Sequence, residues 1–113
     1  MRRNEEIEIG QQDTVTKTFR TKIPRSTQPW DVSLASQIIL RITRCEDGAI
    51  IPPLVANPNE PGADWARGLV LISIDPTVTE VPGTYNWTLV VFIGGQTISG
   101  DSGTIEVARG SGL

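Results

Sequence analysis

The chain has 113 residues, a net charge of −3 and a hydrophobic fraction of 38%, which predicts one folded, soluble domain and excludes a disordered chain. No apolar run approaches the roughly 20 residues of a membrane-spanning helix, so no membrane contact is expected. The single cysteine, Cys45, excludes an internal disulfide and fits a reducing compartment. With no histidine and one cysteine, a zinc site would need carboxylates alone, and the sequence has neither an Asp-x-Asp-x-Asp-Gly calcium loop nor a Gly-rich phosphate loop before a helix, so we expect neither a metal site nor a cofactor.

Alternating apolar and polar residues, with β-branched residues clustered among them, predict strands along most of the chain. Turn-forming residues separate these segments, and no amphipathic pattern of ten or more residues indicates a helix. Pro52 and Pro53 interrupt one apolar segment, so a strand there is expected at a sheet edge, where a missing N–H is tolerated. The predicted strands cover residues 7–9, 15–19, 38–42, 49–55, 70–74, 85–93, 96–99 and 104–108.

The segment from Tyr85 to Gly95 is the most informative part of the sequence. Tyr85, Trp87, Leu89 and Val91 alternate along one predicted strand, so their side chains are expected to face the core together. Gly94-Gly95 then predicts a two-residue hairpin turn, which requires positive φ angles. Tyr85 also lies where an immunoglobulin-like domain carries its tyrosine corner. We therefore predict an all-β fold, an immunoglobulin-like antiparallel β-sandwich of about seven strands.

The predicted organisation is one sandwich with two additional end segments. Residues 13–108 are expected to form the sandwich, residues 1–12 an N-terminal arm or edge strand, and residues 109–113 a flexible tail. A long loop is predicted over residues 52–67, which contain four prolines and a tryptophan. Loops of that length in a compact domain are often functional.

No combination of residues in the sequence predicts catalysis. Residues 100–103 read Gly-Asp-Ser-Gly, which resembles the nucleophile segment of chymotrypsin-like proteases. That chemistry requires a base to take the serine proton, and the chain has no histidine. We therefore predict that this tetrapeptide forms a turn between the last two strands. The chain is expected to be a protein without catalytic residues, and the alternative is a small hydrolase that uses a pair of Asp or Glu carboxylates on a glycoside.

Three features are candidates for a protein interface. Ile7 and Ile9 form a short alternating strand whose open edge would be a template for pairing with another chain, unless they pair within their own sandwich. Trp65 lies in the predicted loop and is either an exposed interface anchor or a cap on one end of the sandwich. The third feature is a basic patch of Lys17, Arg20, Lys22 and Arg25, of which Arg20, Lys22 and Arg25 are the candidate interface residues.

Charge is distributed unevenly along the chain. Residues 1–44 carry eight Lys or Arg against five Asp or Glu, whereas residues 45–113 carry two against eight. The segregation is either incidental to a solvated surface or the mark of a polar molecule whose copies associate basic region to acidic region. The basic patch is too small, in an acidic protein, to predict nucleic-acid binding.

The order of these signals resembles a known family. A polar strand opens at 13–15, Pro29-Trp30-Asp31-Val32 precedes the strand at 38–42, and Val81-Pro82-Gly83-Thr84-Tyr85, Gly94-Gly95 and Gly103-Thr104-Ile105-Glu106-Val107 follow. This order is similar to that of the N-terminal domain of phage baseplate upper proteins and of small immunoglobulin-like proteins of tailed-phage particles. Val32-Ser33-Leu34-Ala35-Ser36 departs from the Leu-Thr-Gly-Ala of that family, and the 52–67 loop is longer.

The resemblance implies a non-enzymatic structural role in a tailed-phage virion, in the baseplate or tail or as a capsid decoration. Its expected partners are other virion proteins and copies of itself, in a homo-oligomer or a larger assembly. The expected location is the virion, after synthesis in the host cytoplasm, which agrees with a start lacking the apolar segment of a secretory signal. The alternative is an immunoglobulin-like adhesion or carbohydrate-binding module with Trp65 and Trp30 as its binding aromatics.

Overall fold

Seven strands and two short helical turns make up the fold in a computed structural model, which describes residues 4–23 and 25–108. A 3₁₀ turn covers Trp65–Arg67, and helix α1 covers Pro76–Thr79. The strands are β1 (Asn4–Gly10), β2 (Val15–Arg20), β3 (Gln37–Arg44), β4 (Ile50–Val55), β5 (Leu69–Ile74), β6 (Gly83–Ile93) and β7 (Gln96–Ala108).

The strands form two sheets that enclose one core. The larger sheet has five strands in the order β1-β7-β6-β3-β4, and the smaller sheet pairs β2 with β5. The chain crosses between the sheets from β1 to β2, from β2 to β3, from β4 to β5 and from β5 to β6. Two sheets around one core make an all-β sandwich, so the predicted fold class is confirmed.

One detail of the predicted sandwich is corrected, because its strands are not all antiparallel. β1 runs parallel to β7, with Ile7 opposite Ile105 and Ile9 opposite Val107. β1 continues directly into β2 of the other sheet and does not turn back as a hairpin beside its neighbour. It is therefore free to lie parallel to β7, which is distant in sequence. β1 is an edge strand, one of the two alternatives predicted for residues 1–12, and residues 109–113 lie outside the described part of the chain.

The centre of the core is formed by facing residues of β6 and β3. Tyr85, Trp87, Leu89 and Val91 are all no more than 1% exposed, as their alternation predicts. They pair with Arg44 and with three buried residues of β3, Ile42, Leu40 and Ile38. Burying side chains of this size contributes about 1.5–3 kcal/mol each. The hydrophobic alternation of these two strands therefore determines which face of the larger sheet packs against the smaller one.

The two local signals around β6 are also confirmed. Gly94 and Gly95 have φ angles of 59° and 75° and join β6 to β7 in a two-residue turn. The hydroxyl of Tyr85 donates a hydrogen bond to the backbone carbonyl of Val81 at 2.6 Å. That contact is the tyrosine corner, which fixes the chain as it enters the penultimate strand.

One predicted turn and the start of one predicted loop are strand in the structure. Residues 100–103 do not form a turn but lie within β7, where the pairing shifts so that Gly100 and Asp101 together face Leu89. This arrangement is a β-bulge, which keeps the ladder continuous on both sides of the extra residue. The prolines at the start of the predicted 52–67 loop belong to β4, which lies at a sheet edge as predicted.

Candidate functional site

The two isoleucines of the predicted interface face the core. Ile7 is 5% exposed and Ile9 is 4% exposed, and both pack among the residues of the sandwich interior. The alternative in which they pair within their own sandwich is therefore the observed one. Their side chains are not available to a partner, although the backbone of β1 still forms an edge of the larger sheet.

Trp65 is likewise not an exposed anchor. It is 9% exposed and packs into the core from the 3₁₀ turn. Its carbonyl accepts hydrogen bonds from the N–H groups of Val32 and Gly68, at 2.8 and 3.1 Å. These bonds hold the backbone of Trp65 beside the core, and the burial of its side chain corrects the expectation of an exposed tryptophan in favour of the capping alternative. Trp30 is partly buried against the same core.

The three basic residues all lie at the surface near one strand. Arg20 ends β2, Lys22 follows in an isolated bridge with Pro29, and Arg25 lies in the next turn with a φ of 64°. All are exposed, and no ion pair of theirs is found within the described residues. Lys17, the fourth residue of the predicted basic patch, is half-buried on the inward side of β2. Positively charged side chains therefore lie on β2 and in the segment that follows it.

A groove that the sequence analysis does not predict lies where the two sheets meet at one side. We call it the side groove; it has a volume of about 260 Å³. One wall is the end of β4, and the opposite wall is the open edge of β5. The side groove is lined by Pro53, Leu54, Val55, Asn57, Glu60, Leu71, Ser73 and Asp75.

The β5 wall of the side groove offers unpaired backbone groups. Leu69 exchanges both of its backbone hydrogen bonds with Asp64, at 2.9 Å each, so its N–H and C=O point away from β2. The direction of these groups alternates along an antiparallel strand. The N–H and C=O of Leu71 and Ser73 therefore also point away from β2 and toward the side groove. Such a row of free donors and acceptors is a template for another strand.

The β4 wall is less suited to pairing. Ala56 donates its N–H to the carbonyl of Ile38 at 2.9 Å, which places the backbone groups of Leu54 on the β3 side. Val55 and Pro53 accordingly point toward the side groove. Pro53 has no N–H to donate, and a register irregularity interrupts the β3–β4 ladder between Leu40 and Ile42. A strand entering the side groove would therefore pair with β5.

The charged residues of the side groove are acidic. Glu60 and Asp75 both line it. The Asp75 carboxylate accepts a hydrogen bond from the N–H of Thr77 at 3.0 Å, which holds it at the start of α1. The neighbouring Asp64 is paired with Arg67 at 3.5 Å, so those two charges offset each other. The remaining negative charge favours a partner strand with basic side chains.

Other kinds of site receive no support from the described residues. In the ranges 4–23 and 25–108, no three acidic, cysteine or histidine side chains come together in a way that could hold a metal ion. Within the same ranges, no helix has the length and apolar character needed to cross a membrane.

Leu71 and Ser73 could have been identified from the sequence as residues of an unprotected strand, because the segment 69–74 is an apolar strand without charge, proline or glycine.

No protein-family model matches this chain, and no curated protein matches its sequence. The family resemblance based on the motif order therefore has no independent support from these two comparisons.

Proposed function

We propose that the chain is a non-enzymatic structural component of a tailed-phage virion, in the baseplate or tail or as a capsid decoration, that works through protein–protein contacts at its sheet edges. The observation that carries this proposal is the side groove, where β5 presents free backbone groups between acidic side chains. An edge of this kind binds an extended segment of protein by adding it to the sheet.

Two further observations support the proposal. The motif order of the sequence resembles that of small immunoglobulin-like phage proteins, as described above. In addition, the exposed basic residues around β2 and the acidic residues of the side groove give the molecule two surfaces of opposite charge. Complementary charges of this kind set orientation and partner choice in an assembly.

The test is to purify tailed particles from the source of the gene on a density gradient and to probe the fractions with an antibody against this chain. We expect the chain to sediment with intact particles and to remain bound after a high-salt wash that removes adsorbed protein. A chain recovered only from the soluble fractions, with particles that assemble and infect normally when its gene is deleted, would contradict the proposal.

The carbohydrate-binding alternative loses its main support. It relies on Trp65 as a surface on which a sugar ring stacks, and the structure leaves only 9% of Trp65 exposed. Trp30 is itself partly buried against the core. A glycan-array measurement that finds binding, and its loss in Trp30→Ala, would reinstate the alternative.

A further inference from the structure

The four edge strands of this sandwich differ in how they are protected against pairing. β4 contains two consecutive prolines, Pro52 and Pro53, which remove donors. β2 carries Lys17 on its inward side, and an inward charge deters pairing. β1 displays Glu8 on its outward side. β5, Leu69–Ile74, has no proline, glycine or charged residue, so beyond Leu69, whose backbone groups bond to Asp64, it is the least protected edge among the described strands.

We propose that the open edge of β5 receives strand β2 of a second copy of this chain, so that copies associate head to tail and the smaller sheet continues from one copy into the next. This inference rests on the proposed function as a protein-binding structural module, and it names the partner of the side groove.

The backbone groups of β2 match those of β5. Arg20 faces Leu69 in the β2–β5 ladder, and the groups of Leu69 point to Asp64 and not to Arg20. Arg20 therefore belongs to a pair without mutual hydrogen bonds, and so do Thr18 and Thr16 by alternation. The N–H and C=O groups of these three residues point to the free edge of β2. They can meet those of Leu71 and Ser73 of the next copy when the strands run antiparallel.

The two faces of the continued sheet also match. Within one copy, Thr18 lies opposite Leu71 and Thr16 lies opposite Ser73, so all four side chains project to the outward side of the smaller sheet. Phe19 and Ile72 project to the inward side, where they are 4% and 2% exposed. When β2 of one copy pairs with β5 of another through the backbone groups at their free edges, the outward side chains of one strand lie beside the outward side chains of the other. No side chain has to change face.

Charge selects β2 as the occupant. The side groove presents the carboxylates of Glu60 and Asp75, and β2 brings Arg20, with Lys22 just beyond its end. Arg20 shares the outward side of β2 with Thr18 and Thr16, and Asp75 follows Ser73 on the outward side of β5 by alternation. The guanidinium group of one copy and the carboxylate of the next therefore lie on the same face of the continued sheet.

The same charges disfavour a symmetric pairing of β5 with β5 of a second copy. That dimer would place the two acidic side grooves against each other and bring Glu60 and Asp75 of both copies into one interface. Like charges facing across an interface disfavour a wrong partner. Pairing of β5 with β2 is instead heterologous, since each copy uses one edge to receive and the other to insert. Heterologous contacts generate rings when the rotation closes and filaments when it does not.

The experiment blocks each edge separately with a proline that leaves the internal ladder intact. Ser73→Pro removes the N–H that faces the side groove, and Thr18→Pro removes the N–H at the free edge of β2. The matched controls, Ser73→Ala and Thr18→Ala, remove the same hydroxyls and keep both N–H groups. Circular dichroism and thermal unfolding of each proline variant against its alanine control verify the fold.

Sedimentation velocity over a range of concentrations measures association of the purified chain. The wild type and both alanine controls are expected to associate, and each proline variant is expected to associate at least about tenfold more weakly, because a hydrogen bond is lost and the ring obstructs the approach. A mixture of the two proline variants is expected to form a 1:1 complex and nothing larger, since one variant keeps only the receiving edge and the other only the inserting edge.

Three results would overturn the inference. The wild type could sediment as a monomer up to about 1 mM, a concentration at which even a millimolar dissociation constant gives substantial association. The proline variants could associate as tightly as their alanine controls. Finally, Ser73→Pro alone could abolish association while Thr18→Pro has no effect, which would indicate the symmetric β5–β5 pairing.

A charge exchange tests the same interface without proline. Glu60→Lys and Arg20→Glu are each expected to weaken association, and the double variant carrying both is expected to recover most of it; no recovery would contradict the charge matching. These measurements use the purified chain alone. A chain that associates as described and yet never sediments with particles would leave the inference standing and refute the virion role. A chain that sediments with particles but does not associate with its own copies would refute the inference and leave the virion role standing.

Discussion

The larger and the smaller sheet achieve their stability in different ways. In the larger sheet, β3 and β6 lie between other strands, and their inward residues form the centre of the core. The smaller sheet has no interior strand. Phe19 anchors it, with its ring 5.1 Å from that of Trp87 in an edge-to-face contact. The larger sheet therefore supplies the framework through its interior strands, whereas both strands of the smaller sheet are edge strands.

The strongest test of this comparison removes the contact that joins the sheets. Trp87 is 1% exposed and packs against Phe19. Trp87→Ala is expected to lower the free energy of unfolding by about 3–5 kcal/mol, because a cavity replaces the largest buried ring. Chemical denaturation followed by circular dichroism measures the loss. Ile50→Ala is the matched control, since Ile50 is 79% exposed. A smaller loss for Trp87→Ala than for Ile50→Ala would refute the assignment of the core.

The second test concerns the end of the smaller sheet. At Gly68, with a φ of 76°, a Cβ atom would lie 2.6 Å from the Thr21 hydroxyl and 2.9 Å from the Trp30 carbonyl. Gly68→Ala is expected to lower the free energy of unfolding by about 2–5 kcal/mol, through both the left-handed backbone and the clash. Gly48, with a φ of 71°, has open space around it. Gly48→Ala should cost about 1–2 kcal/mol, and equal losses for both variants in thermal unfolding would show that crowding at Gly68 plays no part.

Much of the larger sheet could be predicted from the sequence because its signals are local. The alternation of Tyr85, Trp87, Leu89 and Val91 marks the buried face of β6, and Gly94-Gly95 marks the turn that follows. These patterns depend on the period of a strand and on backbone conformation, and both are visible in a single segment.

The parts that could not be predicted depend on partners distant in sequence. Residues 100–103 have the composition of a turn, yet they lie in a bulge because β6 continues beside them. Trp65 has the position of a loop residue, yet Val32 and Gly68 hold its backbone against the core. The side groove follows from the edge of β5 beyond Leu69, which has no second neighbouring strand, and the sequence of β5 does not reveal how many neighbours it has.

The third-largest effect is expected at the entry to β6, where Tyr85 bonds to the preceding turn. Tyr85→Phe removes the hydrogen bond to the Val81 carbonyl and keeps the ring, which Arg44 overlies at 5.9 Å. The expected loss in the free energy of unfolding is about 0.5–1.5 kcal/mol, the net value of one such bond. Urea denaturation measures it, with Tyr85→Leu as a control that removes the ring as well and should lose more. An unchanged midpoint for Tyr85→Phe would mean that the tyrosine corner adds nothing to stability.

The smallest expected effect is on the outward side of the smaller sheet, at the residue that the proposed partner would cover. The hydroxyls of Ser73 and Thr16 share a hydrogen bond at 3.0 Å in an exposed position. Ser73→Ala should lower the free energy of unfolding by only about 0.2–1 kcal/mol, the usual range for a cross-strand hydroxyl pair. Urea denaturation at low protein concentration, where copies do not associate, measures the effect.

Thr16→Ala removes the same bond from the other strand and should give a similar value. The double variant should lose little more stability than either single variant. A loss at Ser73 as large as that at Gly68 would mean that this edge is part of the framework, and the distinction between a stabilising sheet and a binding edge would fail.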